Sequence, residues 1–282
     1  MPAAGPSAVH VRGLSKTYGQ IHAVRELDVD VTYGEVFAIL GPNGAGKSTT
    51  IEVLEGHRKR DSGAVRVLGE DPGTAGRSWR AKIGIVLQEA SDFGMLTVSE
   101  TMHMFANCYG QARIPGEVLD QVGLGSVSGS KVRTLSGGQR RRLDVALGII
   151  AEPQVLFLDE PTTGFDPEAR RQFWDLIRLL AADGTTILLT THYLEEAAAL
   201  ADRVAVIAAG RLVAVDSPAK LTGYVNSAAT VRWVEGDRVH VEKTDHPTDL
   251  IRQRSADGAE LSQLTVTRPT LEDAYLQLIG RA

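Results

Sequence analysis

The chain has a single cysteine, Cys108, in 282 residues, only 5% aromatic residues, and no long apolar run. One cysteine excludes an internal disulfide and a thiolate metal cluster, and it suits a reducing cytosol. Cys108 itself is expected to pack as a small core hydrophobe. The longest stretch without Asp, Glu, Lys or Arg is Thr101–Ala112, twelve residues. A bilayer span needs roughly 18–20 apolar residues, so no crossing is expected. Nor does a basic segment lead into an apolar core at the start, so no secretory signal is expected. Neither sign of charge dominates: 30 basic against 35 acidic residues leave −5, which argues against general nucleic-acid binding. What is present is ordinary globular composition, 43% hydrophobic and 23% charged, in a length suited to one large or two smaller domains.

Five short apolar runs lack polar alternation: Val36–Leu40, Ile83–Leu87, Val155–Leu158, Ile187–Leu189 and Val204–Ile207. Such runs read as strands covered on both faces. Helical stretches are expected after Lys47, around Val98–Tyr109, after Gly138, at Glu168–Ala181 and at Leu194–Ala201, giving an α/β fold around a buried sheet. Val9–Arg12 and Leu27–Val31 alternate instead, as an N-terminal antiparallel sheet with one wet face would. Residues 89–135 lack strand signals and predict a mostly helical insert, within a helical subdomain of about 89–150. Pro218 and a change of composition put a boundary near Ser217–Thr222, dividing a main domain, 1–222, from a small α+β appendage, 223–282. In the appendage Ala229–Val234 and Leu261–Thr267 alternate and Leu271–Ile279 is an amphipathic helix; a piece of about 60 residues is expected to pack on the main body or on a partner. The charge runs Arg58–Arg60 and Arg140–Arg142 read as solvated faces.

Gly41-Pro42-Asn43-Gly44-Ala45-Gly46-Lys47-Ser48 fits the phosphate-loop pattern, and it stands after one predicted buried strand and before a helical run from Thr49. Backbone N–H groups on a glycine-rich path can cradle a polyphosphate, Lys47 adds a point charge, and the Ser48 hydroxyl suits Mg²⁺. Val155–Leu158 runs into Asp159 and Glu160. Asp159 would hold the metal, while Glu160 is free to orient or deprotonate an attacking water. Gln88 follows a strand, at the end where open α/β sheets bind ligands, so its amide is placed for Mg²⁺ and the water. His192 follows another strand and is placed to donate to a γ-phosphate oxygen. Ser136 is a good N-cap ahead of Gly137 and Gly138, which makes a second anion site at a helix start.

Leu135-Ser136-Gly137-Gly138-Gln139, upstream of Asp159–Glu160, is the most specific of these segments. With Tyr18, the phosphate loop, Gln88, Gly164-Phe165-Asp166 and His192 in the same order, the chain resembles the ATP-binding subunits of ABC transporters over about residues 8–220. The resemblance implies a P-loop ABC ATPase fold with core sheet, N-terminal antiparallel β-subdomain and helical subdomain. It implies that Tyr18 stacks on adenine and that two protomers, as a homodimer, bind ATP head to tail. Ser136, Gly138 and Gln139 of one protomer would then face the γ-phosphate held by Lys47 of the other. It further implies Mg²⁺-dependent ATP hydrolysis that energises a separate membrane permease at the cytoplasmic face, with no nucleic-acid partner. Thr190–Glu196 and Arg268–Tyr275 resemble subunits of drug and antibiotic exporters, although Thr270, Ala274 and Tyr275 stand where that pattern has Ser, Val and Phe. Phe165 stands where the family has Leu and is expected to adjust dimer packing. The stretch Asp92–Val98, with Phe93 and Leu96, is the expected docking surface for the permease.

Other classes fit less well. No extended heptads separate Lys47 from Ser136, as a chromosome-type ABC protein would need. Only one ATP module is present, against the two of a translation factor, and no Asn-Lys-x-Asp segment supports guanine binding. The alternative retained is a soluble ABC ATPase with a regulatory role.

Overall fold

Apolar runs without alternation must be covered on both faces, and that requirement builds the centre of the molecule. The computed structural model describes residues 7–86, 93–223, 228–255 and 260–280. In chain order the first half runs β1 (Ser7–Tyr18), β2 (Ile21–Thr32), β3 (Val36–Leu40), α1 (Lys47–Leu54), β4 (Ser62–Val67), α2 (Arg77–Arg80), β5 (Ile83–Val86), α3 (Val98–Ala106), α4 (Pro115–Gln121) and α5 (Gly137–Ile149). There follow β6 (Val155–Asp159), α6 (Pro167–Ala182), β7 (Thr186–Thr191), α7 (Leu194–Leu200), β8 (Arg203–Ala208) and β9 (Arg211–Asp216). The last part holds α8 (Pro218–Gly223), β10 (Ala229–Glu235), β11 (Arg238–Thr244), α9 (Pro247–Arg254), β12 (Ser262–Thr267) and α10 (Leu271–Ile279).

The core sheet has the order β5-β6-β7-β3-β8-β9, with β5 through β8 joined by parallel pairs. Leu40 pairs with Thr191 and Asp159 with Thr190, so β3, β6 and β7 end side by side. Ligands bind at such carboxyl ends in open α/β sheets, and here Gly41, Glu160 and His192 emerge together. A second sheet, β2-β1-β4, is antiparallel. Its inner residues, among them Val11, Leu27, Val31 and Val65, share one apolar core with Phe37 and Phe157 of the main sheet and Ile51 of α1. Between β5 and β6 the described chain is helical, as expected, with two 3-10 turns at Gly125–Val127 and Val132–Thr134. Helix α5 lies against β5 at backbone distance: a Cβ on Gly84 would stand 2.3 Å from the Gly148 carbonyl.

The chain divides into two compact units, Met1–Val215 and Asp216–Ala282. Helix α8 falls in the second unit, where it packs against α10, while the sequence put the edge after residue 222. That unit has a three-stranded antiparallel sheet, β11-β10-β12. Trp233 is buried there and stacks on His240 with ring centres 5.1 Å apart. Thr270 and Asp273 form a reciprocal cap on α10.

Three expectations change. Cys108 is exposed, because α3 has ended at Ala106 and the thiol lies in the turn beyond, its Sγ directed back to the Met104 carbonyl at 3.5 Å. Arg141 is buried, since position 141 of α5 shares an inward face with Val145, four residues on. Arg58 and Arg60 are tied to Glu52 and Asp71, so that run is a set of ion pairs. Strands β4 and β9 were not placed from the sequence, and neither were β11 and α9, which carry three charged residues each. Among the described residues no helix is long and apolar enough to cross a membrane.

Candidate functional site

The loop from Gly41 to Ser48 is held in shape by its neighbours. Gly46 caps α1 at φ 102°, and a Cβ there would sit 2.1 Å from the Ala23 carbonyl, so no other residue fits. At Gly41 a Cβ would meet the Ile207 carbonyl at 2.4 Å. The Pro42 carbonyl accepts the Ala45 N–H at 3.1 Å, and the buried Ala45 accepts the Gly210 N–H at 3.1 Å. No side chain caps α1 and no acid lies in its first turn, which leaves the positive end of the helix for an anion.

Asn43, Gly44, Gly46, Lys47, Ser48 and Thr49 line a cleft of about 470 Å³ with Tyr18, Ala23 and Glu160. Lys47 is almost wholly buried, and its Nζ donates to the carbonyls of Gly41 at 2.9 Å and Pro42 at 3.3 Å. The same ammonium lies 3.4 Å from Glu160 Oε1. Tyr18, at the end of β1, is 38% exposed, with the Arg58 guanidinium 5.3 Å and the Lys16 ammonium 5.5 Å from its ring centre. An aromatic face rimmed by cations suits a flat, electron-rich heterocycle.

Asp159 ends β6, and its Oδ1 accepts the Ser48 hydroxyl at 3.3 Å and the Thr190 hydroxyl as well. Glu160 follows with φ 43°, a left-handed backbone rare for a side chain of this size. Its N–H donates to Thr190 at the hydroxyl, 3.0 Å, and the carbonyl, 3.2 Å. Its carboxylate meets Lys47 on one oxygen; on the other it meets His192 Nδ1 at 3.2 Å and accepts the Thr163 hydroxyl at 3.4 Å. Lys47, Glu160 and His192 therefore converge on one point, with Ser48 and Asp159 beside it. Gln88, expected at the same place, lies outside the described residues.

Sequence reasoning missed Thr190, Thr163 and Arg141. The threonines carried no signal beyond their nearness to Asp159 and His192 in the chain. Arg141 stood inside a charge run; its guanidinium donates to the carbonyls of Asp159 at 2.9 Å and Pro161 at 3.0 Å.

Ser136, Gly138 and Gln139 line no part of this cleft. Ser136 caps α5 by accepting the Gln139 N–H at 3.2 Å, and Gln139 Oε1 accepts the Ser136 N–H at 3.0 Å. Gln139 Oε1 is thus spent on its own helix, while the Ser136 hydroxyl keeps its proton for another acceptor. Phe165 packs edge-on against Phe173 with centres 5.7 Å apart. Phe93 and Leu96 are half-buried, Phe93 edge-on to Phe105, whereas Met95 between them is 71% exposed.

Burial, aided by the charges of Asp159 and Glu52, pushes Glu55 at the far end of α1 up to about 7. Burial raises Asp144 to about 6 against the pull of Arg141. Desolvation also lifts Glu196, whose Oε1 accepts Thr162 at 2.8 Å and so holds the loop after Glu160. Among the described residues no three His, Cys, Asp or Glu side chains gather as a metal cage. One hydroxyl and one carboxylate in contact, beside a phosphate cradle, fit Mg²⁺, which keeps water and phosphate oxygens for most of its shell.

The family model described as ABC transporter matches residues 24–163. The daunorubicin resistance ATP-binding protein DrrA2 of Streptomyces coeruleorubidus is 37% identical, over 97% of this chain and 95% of that protein. The Nod factor export ATP-binding protein I of Paraburkholderia xenovorans is 40% identical, over 98% of each. A dimeric, post-hydrolysis ATP-binding cassette solved with ADP and Pi superposes with a TM-score of 0.66 at 25% identity, over 74% of this chain and 98% of that one.

Proposed function

The chain belongs to the ABC transporter family as an ATP-binding subunit, and we propose that it hydrolyses Mg·ATP at this cleft to drive a separate membrane permease in the export of drug-like or lipophilic compounds. The convergence of Lys47, Glu160 and His192 beside Ser48 and Asp159 is the observation that carries this reading. The export relatives support its direction.

In this mechanism the Gly41–Ser48 amides and Lys47 hold the β- and γ-phosphates, and Tyr18 stacks on adenine. Ser48 and Asp159, with Gln88 as the sequence expects, would hold Mg²⁺, which would offset phosphate charge. Glu160 orients the attacking water and takes its proton. His192 steadies that carboxylate and donates to the γ-phosphate. A γ-phosphate at Lys47 competes with Glu160 for the same ammonium, so nucleotide arrival loosens Glu160 for its task. Ser136 and Gly138 complete the site from a second copy, head to tail; that the similar cassette bound to ADP and Pi is dimeric supports a second copy. The subunit then works peripherally, at the cytoplasmic face of the membrane, closing on ATP and opening after hydrolysis.

Glu160→Gln tests the core of this reading. Turnover should fall by about 10²–10⁴-fold with ATP binding kept, and light scattering should show a dimer only with Mg·ATP. Normal turnover would remove Glu160 from its role. A monomer under both conditions, with ATP demonstrably bound, would remove the homodimer.

A further inference from the structure

Glu160 needs more than its own carboxylate contacts to hold its place. At φ 43° its backbone sits where side-chain-bearing residues rarely rest, and such a conformation persists only when the surroundings impose it. Thr190 holds the Glu160 N–H from β7. The carbonyls of the residues on either side of Glu160 are both held by one group: Arg141 Nη2 donates to the Asp159 carbonyl at 2.9 Å, and Nε donates to the Pro161 carbonyl at 3.0 Å. A planar guanidinium carries its donors at fixed spacing, so these two bonds set the distance and angle between the carbonyls as well as their positions. Arg141 is only 7% exposed, and the Asp144 carboxylate on the same helix stands 4.0 Å away. A cation buried at that cost and aimed at carbonyls is a poor choice for packing alone, which an apolar side chain would serve better.

We propose that Arg141 is a positioning residue for Glu160, bracketing its strained backbone and tying it to the helix that begins with Ser136. Arg141 stands five residues into α5 from its cap, about 7.5 Å along the axis. Any ligand engaging the Ser136 end therefore pulls on a rigid rod whose second turn grips the backbone on either side of Glu160 of the same chain. One ATP cleft is linked in this way to the other, because the Ser136 end belongs to the partner's cleft and Glu160 to its own. This inference rests on Glu160 acting on the attacking water.

The test is a double-mutant cycle on the full chain. Arg141→Ala should lower kcat by about 30–100-fold with the KM for ATP within about twofold. Arg141→Lys, which keeps the charge but cannot bracket both carbonyls, should lie between, at about 5–10-fold. If Arg141 acts through Glu160, Arg141→Ala placed on Glu160→Gln should leave residual turnover within about twofold of Glu160→Gln alone. Losses that multiply, or a KM that rises while kcat holds, would overturn the proposal. If Arg141→Ala does not fold, Arg141→Lys decides, and wild-type kcat in it is the refuting result. Normal turnover in Glu160→Gln would instead sink the catalytic reading itself, so the two failures stay distinct.

Discussion

Two helices in this chain begin with glycines and a serine, and they are built for different acceptors. Helix α1 starts from Gly46 with no side-chain cap, its loop braced against the Ala23 and Ile207 carbonyls and facing a cleft with Lys47. Helix α5 starts from exposed Ser136 with a reciprocal cap from Gln139 and lines no part of that cleft. The first start is finished as an anion site by its own fold. The second is stable alone yet chemically half-used, since a capped helix offers a hydroxyl and a positive end but no enclosure. Similar composition thus marks one site that a single chain completes and one that needs another surface.

The sharpest way to break the contrast is to give each start a methyl group. Gly46→Ala meets the Ala23 carbonyl and a forbidden φ, so nucleotide affinity should fall by at least about 100-fold, with about 3 kcal/mol of stability lost. Gly137→Ala meets nothing within 4 Å and should leave both unchanged. Nucleotide titration and thermal unfolding read the pair, and equal losses would erase the distinction. Next in size, Ser136→Asp keeps a good cap but sets a carboxylate against incoming phosphate. In the Glu160→Gln background it should weaken ATP-dependent association by at least about 30-fold, by light scattering, while one chain's affinity for ATP stays put.

The smallest effect concerns the far end of α1. Glu55 rises from 4.5 to about 7 on burial, so the folded chain holds its proton more tightly than the unfolded chain does. The stability this brings is full below pH 4.5 and is lost as pH rises through 7. Glu55→Gln should therefore be more stable than the parent by about 1–2 kcal/mol at pH 8, with the gap shrinking toward acid pH. Urea unfolding across that range checks it, and a gap independent of pH would show that Glu55 is not the group involved.

The buried sheet was readable because Val36–Leu40 and Val155–Leu158 are apolar on both faces, which only a covered strand tolerates. The cleft was readable because Gly41–Ser48 and Asp159–Glu160 each follow an apolar strand, β3 and β6, the two neighbours of β7. Strand β11, Arg-Val-His-Val-Glu-Lys-Thr, was not, since its exposed valines alternate with charges as a surface loop's might by chance. Arg141 was hidden for a related reason. Three arginines in a row look solvated, and only the helical angle decides that the middle one turns inward to two carbonyls.

Cys108 stands exposed one residue beyond the cap of α3, and the chain has no other thiol. The unaltered sequence therefore offers a single handle for thiol chemistry. A spin label or dye attached there marks one point per molecule, with no cysteine to remove first. Any label-to-label distance then measured is a distance between two copies, and its change with nucleotide is a direct ruler for their approach and separation.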